Sequence, residues 1–339
     1  MSLIVVLLLL ASMGTTACNK ADTTPVQDTP TAQNVDTPDT PAVNPELAPW
    51  IIEWNPHASS WIYASVYGEA TMKVYHDLID AIESGAESVP CKDGQTFSWV
   101  FTVLHEQYPL YAPLLSDIGF DEQTGLAMLS YAMEQDERQS LIADFQLRVQ
   151  EIVSECIYDD YNEVERAAAL HEYLSHYFIF DHEAADSDYA DVTPYRAIMT
   201  GEGICQSFTG VYTYIALQIG IDAASVSGST PDFSFSHEWN VVTFDGVSFY
   251  LDVTFENGDG YGLRYFGITG AQREAEGGFE EEFFNIGNSN EFWGRDFPVT
   301  DERFSPLWSA VYLEGFDRED GRLVALCIDE NGDPFTFSF

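Results

Sequence analysis

The stretch "GEGICQSFTGVYTYIALQIGI", residues 201–221, places a cysteine where a helix is expected to begin. After Cys205, large apolar residues recur at steps of three and four, which is the spacing of one helical face. These residues are Phe208, Val211, Tyr212, Ile215 and Ile219. Gly220 then stands where helices commonly end. The sequence therefore predicts a helix whose first turn carries Cys205.

A thiol in a first helical turn is well placed for chemistry. The N–H groups there have no partner within the helix, and together with the helix dipole they favour an anion. Such a position lowers the pKa of a cysteine toward the reactive thiolate. The same N–H groups can stabilise an oxyanion. Gln206 is a candidate to line that oxyanion site, and a first-turn surface position is an equally good interpretation. The glycines at 201 and 203 would let the backbone approach a substrate closely.

A thiolate nucleophile needs a base, and the base needs an orienting group. Both are supplied by "SHEWNVVTFDGVSFYLDVTFENG", residues 236–258. Asp245-Gly246 between two apolar runs predicts a two-residue hairpin turn. If both strands continue, its register places His237 opposite Thr254. Asp252 is two residues from Thr254 and on the same face, so it is a diagonal neighbour that an imidazole can reach.

The two faces of this hairpin differ in character. Trp239 shares the face of His237, where it could shield the hydrogen bond between His237 and Asp252 or simply pack in the core. The other face is an apolar stripe that is expected to face the core: Val242, Phe244, Val247, Phe249, Leu251, Val253 and Phe255. The sequence thus predicts a nucleophile at a helix start and a base with its orienting group on an adjacent hairpin.

These three segments together resemble the transglutaminase-like superfamily, a papain-like group of thiol enzymes. The family pattern is a Cys at a helix start, a His in an H-x-W-N-like strand and an Asp followed by x-T-aromatic. The corresponding stretches here are residues 201–221, "HEWNVV" and "YLDVTF". "AALHEYLSHYFIFD" and "LRYFGIT" also resemble bacterial extracellular members. The resemblance covers about residues 160–270 and, more loosely, 90–160.

The resemblance implies roles for three residues: Cys205 as nucleophile, His237 as base and Asp252 as orienting group. Phe255 stands where the family commonly has Trp. The implied reaction is acyl transfer from an amide through a thioester, on a protein or peptide substrate and without a cofactor. Resolution by water makes a peptidase or amidase, and resolution by an amine makes a crosslinking transglutaminase. Lysine occurs only at positions 20, 73 and 92, which favours hydrolysis slightly over self-crosslinking.

Two other functions compete with this one. The first is a catalytically inactive transglutaminase-like surface module that binds protein or cell-wall ligands in the cleft that would hold the substrate of an active enzyme. The second is a zinc site made from the same Cys, His and Asp, which lacks a fourth ligand at suitable spacing. The acidic loops do not fit the spacing of an EF-hand. We therefore expect no metal.

The charge of the chain excludes several partners. Its 56 acidic and 13 basic residues give a formal net charge of -43 at pH 7. Nucleic-acid binding requires Lys and Arg to neutralise phosphates, so we expect no nucleic-acid partner. Anionic lipid headgroups would also repel this surface.

The N-terminus carries features of an export signal. "LIVVLLLLA", residues 3–11, is too short to span a bilayer and has the length of a signal-peptide core. "TTAC" then resembles a bacterial lipobox ending at Cys18, although Thr15 stands where Leu is usual. We expect a signal peptide over 1–17, a lipidated Cys18 and a Thr/Pro/Asp-rich linker over 18–48. The expected location is the extracellular face of a bacterial membrane, with ordinary secretion as the alternative.

The remaining chain reads as helices followed by strands, which predicts an α+β fold. Helical spacing is found in 70–85, in "ADFQLRVQEIVSECI" and in "NEVERAAALHEYLSHYF", and a terminal hairpin is expected around Asn331-Gly332. We expect a mostly helical N-terminal accessory region over 49–145, a transglutaminase-like catalytic domain over 146–270 and a C-terminal extension over 271–339. The extension resembles nothing that would assign it a role.

Three cysteines are left after Cys18 and Cys205 have been assigned: Cys91, Cys156 and Cys327. All three cannot pair with one another. One disulfide is compatible with an extracellular location, and the sequence does not choose the pair. Buried unpaired thiols are the other interpretation.

Overall fold

A computed structural model describes residues 47–187, 190–259, 262–287, 293 and 297–339. The predicted signal peptide, lipidation site at Cys18 and linker lie outside these described residues. Within the described ranges, no helix is long and apolar enough to cross a membrane.

The described residues form an α+β fold, as the sequence predicts. The helices are α1 Trp61–Tyr67, α2 Glu69–Ser84, α3 Gly94–Gln107, α4 Tyr111–Leu114, α5 Gln135–Cys156, α6 Glu163–Tyr177, α7 His182–Ala185, α8 Pro194–Thr200, α9 Cys205–Gln218, α10 Val253–Asp259 and α11 Gly270–Gly277. The strands are β1 Ser88–Pro90, β2 Leu115–Asp121, β3 Leu126–Tyr131, β4 Ile179–Phe180, β5 Glu202–Gly203, β6 Asp222–Ser229, β7 Ser236–Phe244, β8 Val247–Leu251, β9 Phe266–Ile268, β10 Asn285–Ile286, β11 Ala310–Glu319, β12 Arg322–Asp329 and β13 Pro334–Ser338.

A five-stranded antiparallel sheet with the order β10-β6-β7-β8-β9 lies at the centre of the fold. The β7–β8 hairpin has the predicted register, with Phe244 opposite Val247 and Asn240 opposite Leu251. Asp245 and Gly246 have φ values of 52° and 76°, as a turn with two left-handed residues requires. The hairpin turn is therefore confirmed.

The second strand of this hairpin ends earlier than predicted. β8 stops at Leu251, and residues from Val253 onward form the helix α10. The expected pairing of His237 with Thr254 is therefore wrong, and Val253 and Phe255 do not continue a strand stripe. Asp252 ends the strand and caps the helix, since its Oδ1 accepts a hydrogen bond from the N–H of Phe255 at 3.0 Å.

Helix α9 packs directly on this sheet. Asn240 of β7 donates from Nδ2 to the carbonyl of Thr209 at 3.0 Å and to Oγ1 of Thr213 at 2.8 Å. Gly220, at φ 80°, follows the C-cap Ile219, which confirms the predicted helix end. Residues 237–244 are buried without exception, so the strand carrying His237 is covered on both faces.

The N-terminal region is only partly helical. The predicted helix over 70–85 is α2, which ends at Gly85 in the left-handed conformation. Beside the helices lies a three-stranded antiparallel sheet, β1-β3-β2, which the sequence analysis did not predict. The expectation of a mostly helical region is corrected accordingly.

The C-terminal residues form a second three-stranded sheet, β11-β12-β13, whose last two strands are the predicted terminal hairpin. This sheet docks on the start of α6. The N–H of Leu323 donates to Oε1 of Glu165 at 2.7 Å, and Arg318 pairs with Asp160 at 2.7 Å. One hydrophobic cluster extends from Ile52 to Cys327 and so includes the N-terminal, central and C-terminal segments.

Candidate active site

Cys205 is the first residue of α9, and the turn that holds it is fixed by Ser207. The Ser207 hydroxyl accepts a hydrogen bond from the N–H of Ile204 at 3.1 Å and donates to the carbonyl of Val192 at 2.7 Å. A Cβ at Gly203 would lie 2.5 Å from Cβ of Ser207. Gly203 is therefore needed because a side chain at this position would clash with the first turn of α9. The sequence analysis gave a different reason for the glycine, namely close approach of the backbone to a substrate.

His237 and Asp252 form a buried hydrogen-bonded pair. Nε2 of His237 lies 2.7 Å from Oδ2 of Asp252, and their side chains are 0% and 1% exposed. The Cys205 side chain also hydrogen-bonds to His237. Because Nε2 is taken by Asp252, Nδ1 is the nitrogen that can exchange a proton with the thiol. The structure thus brings together all three residues of the predicted triad.

The surroundings favour a charged imidazole. Burial acts to lower the pKa of His237, but the charge and hydrogen bond of Asp252, aided by Cys205, raise this pKa to about 9. Burial acts to raise the pKa of Asp252, but the charge and hydrogen bond of His237 and the charge of Arg273 bring it to about 2. The favoured state at neutral pH is an imidazolium beside a carboxylate.

Arg273 is the residue of this site that the sequence analysis missed. It lies in α11, and its Nη1 donates to Oδ2 of Asp252 at 2.6 Å. Its side chain is fully buried. The one feature of the sequence that could have drawn attention to Arg273 was the scarcity of basic residues, of which the whole chain has 13. No spacing rule connects position 273 with position 252, because the contact depends on how α11 returns to the sheet.

Aromatic rings surround the His237 imidazole. Phe255 is stacked on it with ring centroids 4.5 Å apart, and Phe235, Trp239 and Phe279 lie at 6.0, 6.1 and 6.1 Å. Trp239 is fully buried on the predicted face. These rings keep water away from the hydrogen bond between His237 and Asp252, which strengthens its electrostatic component.

Gln206, the candidate for the oxyanion site, points toward the N-terminal region. Its Nε2 lies 3.4 Å from Nε2 of His105 in α3. Gln206 therefore follows the candidate nucleophile in sequence, while its side-chain amide contacts α3, a helix from the N-terminal region. Its role in stabilising an oxyanion stays a prediction.

A second buried pair supports the helix that follows Asp252. His171 of α6 and Glu256 of α10 are joined at 3.2 Å, and Oε2 of Glu256 also accepts from the N–H of Tyr265 at 2.8 Å. Asn257 donates from Nδ2 to the carbonyls of Ser175 and Phe178 at 2.7 and 2.8 Å. These contacts hold α10 against the end of α6.

Within the described ranges, Cys91, Cys156, Cys205 and Cys327 form no disulfide bond. Of the two interpretations left open by the sequence, unpaired thiols are therefore found. Over the same ranges, His, Cys, Asp and Glu side chains form no group of three or more that could hold a metal ion.

A comparison with known protein families matches the central part of the chain. Residues 150–253 match the Transglutaminase-like superfamily. This segment contains Cys205, His237 and Asp252, so this part of the chain is a transglutaminase-like superfamily domain.

Two similar proteins cover parts of the chain. Kyphoscoliosis peptidase from Mus musculus is 24% identical over 119 residues, which are 32% of this chain and 18% of that protein. The chain thus spans less than a fifth of the length of this curated relative. A solved structure described as "Crystal structure of a TGase" is 16% identical with a TM-score of 0.29, covering 36% of this chain and 34% of the other.

Proposed function

We propose that the protein is a thiol enzyme that cleaves or transfers amide acyl groups through a thioester on Cys205. The observation that carries this proposal is the pairing of His237 with Asp252 at 2.7 Å beside a cysteine that opens α9. A thiol, a base and an oriented carboxylate are the parts that nucleophilic acyl transfer needs.

The proposed chemical steps use the three groups of this site. The raised pKa of His237 keeps its imidazole protonated at neutral pH, so the Cys205 sulfur reacts as the thiolate and forms a bond with the carbonyl carbon of the amide. The carbonyl oxygen becomes an oxyanion near the first-turn N–H groups of α9, where the helix dipole stabilises negative charge. His237 then donates the proton to the leaving amine as the C–N bond breaks. Water or a second amine then gives a proton to the neutral His237 and attacks the thioester, so that the acyl group leaves as a carboxylic acid or a new amide and the thiolate of Cys205 is restored.

The substrate class is proposed from the same chemistry. An amide of a protein or peptide fits a thiol acyl-transfer site, and the few lysines of this chain favour hydrolysis over crosslinking of its own copies. One of the similar proteins is named a peptidase, which favours hydrolysis. The similarity covers only a part of this chain and a part of that protein.

The burial of the nucleophile favours one alternative, an inactive transglutaminase-like module that binds protein or cell-wall ligands. Counted over the whole residue, Cys205 and His237 are each 3% exposed, so a substrate must displace neighbouring atoms to reach the sulfur. An enzyme opens this site on the timescale of turnover, whereas an inactive module keeps it closed.

Thiol labelling and turnover separate the two functions. The parent protein should react at Cys205 with a small alkylating probe at neutral pH, located by peptide mass spectrometry. It should also cleave unstructured peptides or incorporate a fluorescent primary amine into a Gln-containing protein. Cys205→Ala should abolish both activities and Cys205→Ser should be nearly as damaging. Cys91→Ala removes another buried, unpaired thiol and should retain activity. An inert Cys205 without turnover would support the inactive module.

We also propose that the mature protein is anchored by a lipid on Cys18 and exposed outside a bacterial membrane. The support is the lipobox-like "TTAC" and the linker composition that follows it. In a bacterial host, the parent should sediment with membranes and Cys18→Ala should appear in the soluble fraction. Equal membrane association of both proteins would contradict the anchor.

A further inference from the structure

We propose that Arg273 is a positioning residue of this site, which fixes the Asp252 carboxylate and limits its pull on the His237 proton. The inference deepens the proposed function, because it concerns the same triad. It requires only the three buried side chains and their contacts, so it can be tested separately from turnover.

Arg273 and His237 share one carboxylate oxygen. Oδ2 of Asp252 lies 2.6 Å from Nη1 of Arg273 and 2.7 Å from Nε2 of His237, while Oδ1 accepts from the N–H of Phe255 at 3.0 Å. Three donors from three directions determine the orientation of the carboxylate plane. Removal of the guanidinium leaves Oδ2 with the imidazole alone.

The guanidinium is itself held in place by aromatic rings. Its Cζ lies 4.3 Å from the ring centre of Phe255, 4.9 Å from that of Phe279 and 5.1 Å from that of Trp239. Such cation–π contacts strengthen when water is excluded. The same three rings surround the His237 imidazole. The guanidinium of Arg273 is therefore buried among the rings that line the site and has no exposure to solvent.

The charges predict the direction of the effect on His237. The groups that act on the imidazole are Asp252 and Cys205, and those that act on Arg273 are Asp252, Tyr265 and Glu276. A permanent positive charge at Oδ2 weakens the attraction of Asp252 for the imidazolium proton. Without it, His237 would hold its proton to higher pH and release it less readily to a leaving amine.

Arg273 lies beyond the segment that matches the family. The match ends at residue 253, whereas Arg273 belongs to α11, which begins at Gly270 under the cap of Thr269. The predicted domain boundary at 270 falls on the first residue of this helix. A part of the chain with no assigned role thus contributes a charged group to the triad.

A purely structural ion pair is the competing explanation, and the proton affinity of His237 distinguishes the two. The measurement is an NMR titration of the His237 imidazole from pH 6 to 10.5, with the signal assigned by its loss in His237→Gln. It is made in the parent, Arg273→Met and Arg273→Lys. The control is Arg264→Met, which removes a neighbouring guanidinium that pairs with Glu276 of α11 at 3.1 Å and keeps the direct hydrogen bonds of Asp252.

We expect Arg273→Met to raise the pKa of His237 by about one unit or more, because a neighbouring charge typically has effects of that size. Arg273→Lys retains the positive charge and should keep the titration near that of the parent, with a lower kcat and an unchanged KM wherever turnover is detected. Arg264→Met should titrate like the parent. In Arg273→Met, the alkaline inflection in the pH profile of Cys205 alkylation, where His237 loses its proton, should move to higher pH with the pKa of His237.

An unchanged His237 titration in folded Arg273→Met would overturn the proposal and leave Arg273 a packing residue. If Arg273→Met does not fold, Arg273→Gln takes its place, since it removes the charge and keeps an amide donor. An equal shift in Arg273→Lys and the neutral variant would also overturn the proposal, because the charge would then not matter. A protein without any acyl-transfer activity would contradict the proposed function, yet the His237 titration would still decide the role of Arg273.

Discussion

Asp252 is the residue on which three features of the site depend. It orients His237, neutralises the buried Arg273 and caps α10. Loss of its charge therefore has two separate consequences. The imidazole loses its orienting group, and a buried guanidinium loses its counter-ion. The first consequence concerns the rate of the reaction, and the second concerns the stability of the fold.

Asp252→Asn should lower any acyl-transfer rate by about 10⁴-fold, by analogy with the orienting carboxylate of serine enzymes. It should also lower the free energy of unfolding by roughly 3–5 kcal/mol, because it leaves a buried charge unpaired. The double variant Asp252→Asn with Arg273→Met should be less destabilised than the sum of the single changes. Denaturant unfolding of the four proteins measures this coupling, and additive losses would contradict it.

The pH dependence of stability should report the His237 proton. The pKa of His237 is raised from its ordinary 6.5 to about 9 in the folded protein. The resulting stabilisation is fully present below pH 6.5 and is lost as the pH rises through about 9, at roughly 1.4 kcal/mol per pH unit in that window. Denaturant midpoints of the parent should fall over this range. His237→Gln should flatten that part of the profile, and a parent-like slope in this variant would assign the effect to another group.

The triad could be predicted from the sequence because its residues follow local rules. A helix start was readable from the spacing after Cys205, and the hairpin register followed from Asp245-Gly246. Arg273 could not be predicted, since its contact with Asp252 arises only after α11 has folded back on the sheet. The burial of all these groups depends equally on the assembled fold.

At the scale of elements, α10 is a helix that residue preferences alone predict incorrectly. The segment "VTF" of residues 253–255 contains residue types that favour strands, and the sequence analysis extended the hairpin through it. A local cap by Asp252 starts the helix, and two tertiary contacts favour it over the strand: the pair of Glu256 with His171 and the hydrogen bonds of Asn257 to the end of α6. The partners of Glu256 and Asn257 are far from this segment in sequence. The misread segment is also the one that places the orienting carboxylate.

The contact between α8 and α9 should tolerate no added side chain at Gly210. A Cβ there would lie 2.3 Å from Cγ of Pro194. Gly210→Ala should therefore cost about 1–3 kcal/mol in the free energy of unfolding, because overpacking forces the two helices apart. Gly119→Ala is the matched control, since a Cβ at Gly119 would meet no atom within 4 Å. Thermal unfolding compares the two, and an equal effect would show that the close approach to Pro194 is not limiting.

At the scale of the whole molecule, Glu165 connects the C-terminal sheet to the transglutaminase-like domain. One of its oxygens accepts from the N–H of Leu323 at 2.7 Å and the other from the N–H of Asn162 at 2.8 Å. The residue is 1% exposed. The same carboxylate thus caps α6 and fixes the position of β12.

Glu165→Ala should lower the free energy of unfolding by about 3 kcal/mol or more, because two buried charge-assisted hydrogen bonds are lost at about 1.5–3 kcal/mol each. Glu163→Ala changes a half-buried carboxylate in the first turn of the same helix and should cost much less. Hydrogen exchange of the Leu323 amide provides a local measure. Unchanged protection at Leu323 in Glu165→Ala would show that β12 is held by other contacts.

The contact of Gln206 with His105 has a consequence for how substrates gain entry. The residue directly after the nucleophile is bound to a helix outside the segment that matches the family, while the nucleophile itself is 3% exposed. This contact links α3 to the second residue of α9. In the proposed function, the transglutaminase-like segment supplies the reacting groups, and a movement of α3 would alter access to them. A change of sequence in α3 would then alter which substrates reach Cys205 and leave the three reacting groups as they are.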